Sequence, residues 1–276
     1  MLEFHADRQR YFDYQYWTTR DYIIPFLAAF LPKGRPLQVL EVGCGEAGVL
    51  KAFVEQGHRC FGIELDEGRL NLARQFQEDA VAAGRLILIN RNIYDIDIER
   101  DLGTRFDLIL LKDVIEHIPQ QERITPRLGE FLAPGGQIFF GFPPWQMPFG
   151  GHQQICDSKL LRAMPWIHLL PAGMYRWLLR LFGEKPTIIQ ELLELQETGI
   201  SIERFERIVR RSGLQVLRRR LYLLNPIYRF KFGRGPVEQL PLLGDVPMLR
   251  NFFTTAAYYL VASPGGRHEF PLSGKN

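Results

Sequence analysis

The chain of 276 residues is 46% hydrophobic and carries 34 basic against 31 acidic side chains, a formal net charge of +3. That length and composition suit one α/β domain with an insertion better than two full domains, and a charge so near balance is only faint evidence for an anionic partner. Three cysteines without CxxC spacing argue against a disulfide framework and a structural zinc site; with no signal-like segment and no apolar run of membrane-spanning length, a cytoplasmic location is expected.

The first 31 residues are rich in aromatics and predict a helix ending near Leu31, so residues 1–35 read as an N-terminal helical segment. From Leu37 onward, short apolar runs alternate with longer amphipathic ones, the pattern of helices crossing between parallel strands. Strands are expected at 37–42, 59–64, 85–90, 106–111 and 136–142, with helices at about 46–57, 67–83 and 120–132, the second capped by Asp66. Between Phe142 and about Gly199 the rhythm breaks into prolines, aromatics and short helical pieces, and residues 143–199 read as an inserted helical cap. In "SIERFERIVRRSG", Ser201 caps another helix and Gly213 ends it, although Arg204 stands where a full capping box has an acid. Strands near 214–223 and 254–262 complete a cofactor domain of 36–142 and 200–264, and 265–276 form a tail.

The turn "VLEVGCGEAG" raises the question of cofactor, because Gly43, Gly45 and Gly48 satisfy the G-x-G-x-x-G spacing of dinucleotide sites. A pyrophosphate needs backbone N–H groups and a positive helix terminus, whereas here Glu41 ends the strand and Glu46 opens the helix. The same carboxylates suit a ligand bearing an ammonium and a sulfonium, S-adenosylmethionine, while the glycines let backbone approach it. Glu64, at the end of the second strand in "FGIELD", stands where a carboxylate accepts bonds from both ribose hydroxyls, a requirement shared with NAD.

In order and spacing, "VLEVGCGEAG", "GIELD", "FDLILLKDVIEHIP" and "LAPGGQIFFGFPP" resemble the successive motifs of class I S-adenosylmethionine-dependent methyltransferases, near the ubiquinone-biosynthesis O-methyltransferase branch. The resemblance covers residues 37–142 and, more loosely, the last helix and two strands. It implies a Rossmann-like seven-stranded sheet of order 3-2-1-4-5-7-6, last strand antiparallel, flanked by helices. It further implies that Glu41, Gly43, Cys44 and Gly45 serve the methionine portion and Glu64 the ribose. Asn92 matches the position of an acid that meets the adenine amino group, Leu65 and Ile93 are apolar walls for the base, and Lys112 and Asp113 border the methyl group.

Transfer of a methyl group to oxygen requires alignment and a base, and histidine is the natural base near neutral pH. His117, after the fourth strand, and His152, after the fifth, lie on loops at the ligand-binding edge. An alternative use of Asp113, Glu116 and His117 is a divalent metal, as at matching positions of some ubiquinone-type enzymes, but the expectation adopted is no metal. Beside His152, Gln153, Gln154 and Trp145 offer polar and stacking contacts.

The apolar stretch from Trp166 to Phe182, set with His168, Arg176 and Arg180, suits a lid over a hydrophobic or amphipathic small molecule, a peripheral membrane face, or ordinary core packing. The arginines of "RRSGLQVLRRR" lack regular aromatic interleaving and read as a solvated edge, so no nucleic-acid partner is expected. The leading function is methylation, at oxygen, of a partly hydrophobic small molecule. An NAD-dependent oxidoreductase and a cofactor-free binding module on the same fold are the competitors.

Overall fold

The computed structural model describes residues 7–264; the tail at 265–276 and the first six residues lie outside them. Strands β1 (Gln38–Val42), β2 (Arg59–Glu64), β3 (Leu86–Asn90), β4 (Phe106–Lys112) and β5 (Leu132–Phe142) are joined in parallel through helical crossovers. β6 (Gln215–Leu224), β7 (Val237–Glu238) and β8 (Ala256–Ala262) extend the sheet to the order 3-2-1-4-5-8-6-7. The last strand runs antiparallel to both of its neighbours.

The sheet therefore has eight strands rather than the seven expected. The additional one is a two-residue strand that pairs antiparallel with the end of β6. So short a segment, beside Gly233, Gly235 and Pro236, has no alternating pattern to read. Two other departures have local causes. β5 begins at Leu132, its pairing with β4 slipping between Phe106 and Leu108 beside a Pro-Gly-Gly sequence. The long second helix divides at Gln77, which leaves helical geometry while its buried amide donates to the Ala47 carbonyl at 2.9 Å.

Both faces of the sheet are covered. Leu40, Ile109 and Phe140 join one apolar cluster, and their sequence neighbours Val39, Leu108, Leu110 and Phe139 join the other. Successive strand residues thus bury in opposite layers, which explains the continuous apolar strands. A third cluster, including Cys156, Leu161, Tyr175, Leu179 and Leu192, lies within the segment following β5.

The helices that matter to the site are α1 (Arg8–Thr18), α2 (Gly48–Val54), α3 (Glu67–Phe76), α4 (Gln121–Glu130), α5 (Ala172–Leu181), α6 (Pro186–Thr198), α7 (Ile202–Arg211) and α8 (Tyr228–Phe232). The Asp66 and Ser201 side chains cap α3 and α7 by accepting from the Arg69 and Arg204 N–H groups. The N-terminal helical stretch continues to Leu27 and stops there, short of Leu31.

Candidate active site

The sheet order reverses between β1 and β4, and the glycine turn after β1 opens at that switch point. Gly43 has φ +72°, and a side chain there would stand 2.6 Å from Val114 Cγ2. Gly45 has φ +53° with the Arg69 guanidinium directly against it. Both positions exclude larger residues by backbone conformation and by contact. The N–H groups of Gly43 and Cys44 donate to the Ile63 carbonyl at 2.8 and 3.1 Å, that of Gly45 to Glu64 Oε2 at 2.8 Å, and that of Ala47 to Cys44 O at 2.7 Å. Three of these donors tie the turn to β2, and the fourth closes it between Cys44 and Ala47.

Glu41 is buried at the end of β1, and its Oε2 has no hydrogen-bond partner among the described residues. Burial pushes its pKa well above the usual carboxylate range, against the nearby positive charge of Lys112. An orphan carboxyl in that position fits a ligand that arrives with its own cation. Glu46 does not act with it as the charge pattern suggested. Arg69 binds both of its oxygens at 3.1 and 2.9 Å, and Arg8 reaches it at 3.0 Å. Burial alone would raise the Glu46 pKa, but Arg69 and Arg8 bring it below the ordinary value.

The Glu64 carboxylate also receives the N–H groups of Leu65 and Asp66, at 2.8 and 3.1 Å, which holds it at the edge of the turn. Asn90 donates to the Glu64 and Leu65 carbonyls at 3.0 and 2.9 Å and secures the same strand end. Leu65 is 67% exposed and presents an open apolar face, whereas Ile93 is buried in the core of the sheet. The Asn92 side-chain oxygen accepts from the Tyr94 N–H at 3.1 Å and caps a short turn.

Beyond β4, Lys112 Nζ and Asp113 Oδ2 meet at 2.5 Å. Burial opposes both charges, but the pair sustains them: the Lys112 pKa is raised and that of Asp113 lowered. Asp113 has φ +55° and donates its N–H to the Gly141 carbonyl, so the turn after β4 is tied to β5.

His117 and His152 come together with their ring centroids 5.1 Å apart, edge to face. Partial burial lowers the His117 pKa and Asp113 opposes the change, leaving a neutral imidazole near pH 7. The buried Glu116 carboxyl, whose oxygens both lack hydrogen bonds among the described residues, completes a trio with these histidines whose ligand atoms lie within 4.8 Å of one another. Burial and the Asp113 charge raise the Glu116 pKa well above the ordinary range. The trio is chemically competent for a divalent cation, and it includes His152 in place of Asp113, which is engaged with Lys112. A narrow crevice beside Glu116 is lined by Pro143, Trp145, Gly150, Leu195 and Gly199.

Residues outside the motifs also reach this edge. The Tyr11 ring carries Lys231 Nζ 5.4 Å above it, and Tyr11, Tyr228 and Lys231 all feel the Asp113 charge. Burial brings the Lys231 pKa down to about 8. Their only sequence signals are the aromatic-rich first helix and the i, i+3 spacing of Tyr228 and Lys231 on α8. Conversely, Gln153 and Trp145 turn inward. The Gln153 amide donates to Pro148 and Met164 carbonyls at 2.9 and 3.2 Å, and Trp145 packs 4.6 Å from the His168 ring.

A mostly parallel sheet with a glycine turn tied to β2 at its switch point, a buried carboxyl oxygen without a partner among the described residues and a histidine pair at the same edge define an α/β enzyme suited to a cationic nucleoside ligand. A methyltransferase-domain family model matches residues 14–185, more than half of the chain, and the chain belongs to that family: it is a class I S-adenosylmethionine-dependent methyltransferase. It is 29% identical over 102 residues to the ubiquinone biosynthesis O-methyltransferase of Coxiella burnetii (strain Dugway 5J108-111), covering 37% of this chain and 42% of that one. With the corresponding protein of Idiomarina loihiensis it shares 31% over 103 residues, 37% and 41% of the two chains. The match thus spans less than half the length of these relatives. Among solved structures, a plantazolicin methyltransferase in complex with SAH superposes with a TM-score of 0.53 at 13% identity, covering 94% and 87% of the two chains. The magnesium protoporphyrin IX methyltransferase from Synechocystis PCC 6803 with bound SAH gives 0.54 at 13%, covering 95% and 88%. These two likenesses concern the fold.

Proposed function

We propose that this methyltransferase acts at an oxygen atom of a small, partly hydrophobic acceptor. The observation that carries the reading is the meeting of His117 and His152, two imidazoles delivered by different strand ends at the cofactor edge. When bound, S-adenosylmethionine supplies an electrophilic methyl group on a sulfonium. Glu41 receives the ammonium, Gly43, Cys44 and Gly45 line the methionine portion, and Glu64 holds the ribose. Leu65 offers its open face to the base, with Ile93 behind it, and Asn92 meets the adenine amino group through the oxygen that also caps its turn.

Lys112 and Asp113 border the methyl group, their mutual pairing keeping the wall polar but nearly neutral in sum. The histidine pair aligns the acceptor hydroxyl, and the neutral imidazole takes its proton as the new O–C bond forms and the C–S bond breaks. Residues 143–199 form the cap that excludes water, held together by an apolar cluster of their own. Three buried free thiols support a reducing, cytoplasmic setting.

The reading is tested by calorimetric titration with S-adenosylmethionine, S-adenosylhomocysteine and NADH, followed by an acceptor screen weighted to hydrophobic hydroxylated compounds. Binding of the first two ligands with methyl transfer to a hydroxyl supports it. Transfer only to amines would overturn the oxygen assignment, and binding without any turnover would favour a regulatory module on this fold.

A further inference from the structure

Granting the acceptor reading above, on which this rests, we propose that Lys231, flanked by Tyr11 and Tyr228, binds a carboxylate carried by the methyl acceptor. The substrate class is then a hydroxylated organic acid with an apolar body. All three side chains lie outside residues 14–185, which the family model matches, and they come together only through packing. Phe230 sets its ring 5.6 Å from Trp17 and 6.3 Å from Tyr22, which fixes α8 against the N-terminal helical stretch. Tyr228 and Lys231, three residues apart, share one face of α8, and Lys231 Nζ stands 5.4 Å from the centroid of the Tyr11 ring. The Tyr11 hydroxyl accepts from the Gln15 amide at 2.6 Å, so that ring is held in place. Tyr11, Tyr228 and Lys231 are each partly exposed, which leaves a ligand room to reach them.

Charge selects the occupant. Among the described residues Lys231 Nζ makes no hydrogen bond and no ion pair, and Asp113, the acid whose charge bears on it, is paired with Lys112 at 2.5 Å. The acids of the facing helix α1 are engaged as well: Asp13 accepts from the Gln9 amide at 3.2 Å, and Asp7, at the cap, from the Arg10 N–H at 3.0 Å. Burial and the Asp113 charge raise the Glu116 pKa, which opposes a second negative charge there. At this edge Lys112 and Lys231 thus stand against Asp113, and a poorly hydrated ammonium gains most from an arriving anion. The cofactor's sulfonium adds further positive charge. One lysine between two rings suits a carboxylate on an apolar body, whereas a phosphate calls for arginine forks or open backbone N–H groups. Asp113 also feels His152, while the charges acting on Glu41 are led by Lys112, Glu64 and Arg69. Lys231 therefore belongs to the histidine side of the site rather than to the ammonium side.

The test is calorimetric titration of the full chain, saturated with S-adenosylhomocysteine, with para-hydroxyphenylpropionate and with its uncharged amide. The acid should bind about tenfold more tightly than the amide. Lys231→Gln should abolish that preference by weakening the acid alone, with S-adenosylhomocysteine affinity within about twofold of the parent. No preference for the acid, a preference that survives Lys231→Gln, or an equal weakening of acid and amide would each overturn the proposal. So would a loss of S-adenosylhomocysteine affinity of about tenfold in Lys231→Gln, which would give the lysine to the cofactor's own carboxylate. Methyl transfer to amines in the acceptor screen would sink the oxygen assignment and leave the acid preference untouched, so the two readings fail separately.

Discussion

The glycine turn after β1 and the loops after β4 and β5 stand along the same edge of one sheet, yet they are held in different ways. In the turn, the backbone itself is committed: Gly43, Cys44 and Gly45 donate to neighbouring β2 atoms, and the conformation depends on glycine at positive φ. Around Asp113, His117 and His152 the parts come from distant elements: the two imidazoles meet from different loops, and Tyr11 from α1 and Lys231 from α8 feel the Asp113 charge. A cofactor of fixed chemistry suits the first kind of construction, and an acceptor that varies with the inserted segment suits the second.

The strongest test of the contrast is Gly43→Val. A β-branched side chain at φ +72° would meet Val114, so a loss of about 3 kcal/mol or more in unfolding free energy is expected, with S-adenosylhomocysteine binding lost beyond about a hundredfold. Urea denaturation and calorimetry measure the two, and a stable variant with full affinity would refute the turn's dependence on glycine. Next in size, His117→Ala or His152→Ala should lower kcat by about a hundredfold for whichever residue is the base, with cofactor affinity within about twofold of the parent. Because partial burial lowers the His117 pKa, the acid limb of the rate profile should lie below the ordinary imidazole range if His117 is that base. A limb that persists unchanged in His117→Ala would move the role to another group.

Glu41→Gln sharpens the cofactor side. Loss of a charged partner for the ammonium should weaken S-adenosylmethionine by about ten- to a hundredfold, the equivalent of about 1.5–3 kcal/mol. The raised Glu41 pKa has a definite sign. The folded carboxyl keeps its proton to higher pH than the unfolded one, so its stabilising contribution is present in acid and fades as pH rises through the folded value. Arrival of an ammonium should reverse this by favouring the ionised carboxylate. Titrations in buffers of different ionisation enthalpy should therefore detect proton release that disappears in Glu41→Gln.

The smallest effect on the cofactor is expected from His168→Ala. His168 is buried, hydrogen-bonded to the Trp145 carbonyl at 2.7 Å, packed on its ring and set against Gly151 beside His152, on the acceptor side of the site. The substitution should cost about 1–3 kcal/mol and raise the acceptor KM severalfold while leaving S-adenosylhomocysteine affinity intact. A parallel loss of cofactor affinity would show that the cap and the turn are one mechanical unit.

By itself the sequence determined the alternation of apolar and amphipathic segments, the placement of the principal parallel strands, the glycine turn and the carboxylates at the ends of β1 and β2. Each is encoded within a few adjacent residues, because strand burial, tight turns and helix caps depend on local geometry and hydrophobic period. Only the tertiary structure decided that Glu46 is held by Arg8 and Arg69, that Gln153 and Trp145 turn into the cap, and that His152 rather than Asp113 joins Glu116 and His117. It also decided the eighth strand, two residues long, and the approach of Tyr11 and Lys231 to Asp113. Ion pairing, packing and pKa depend on distances between residues far apart in the chain, and those distances exist only once the sheet has brought its strand ends together.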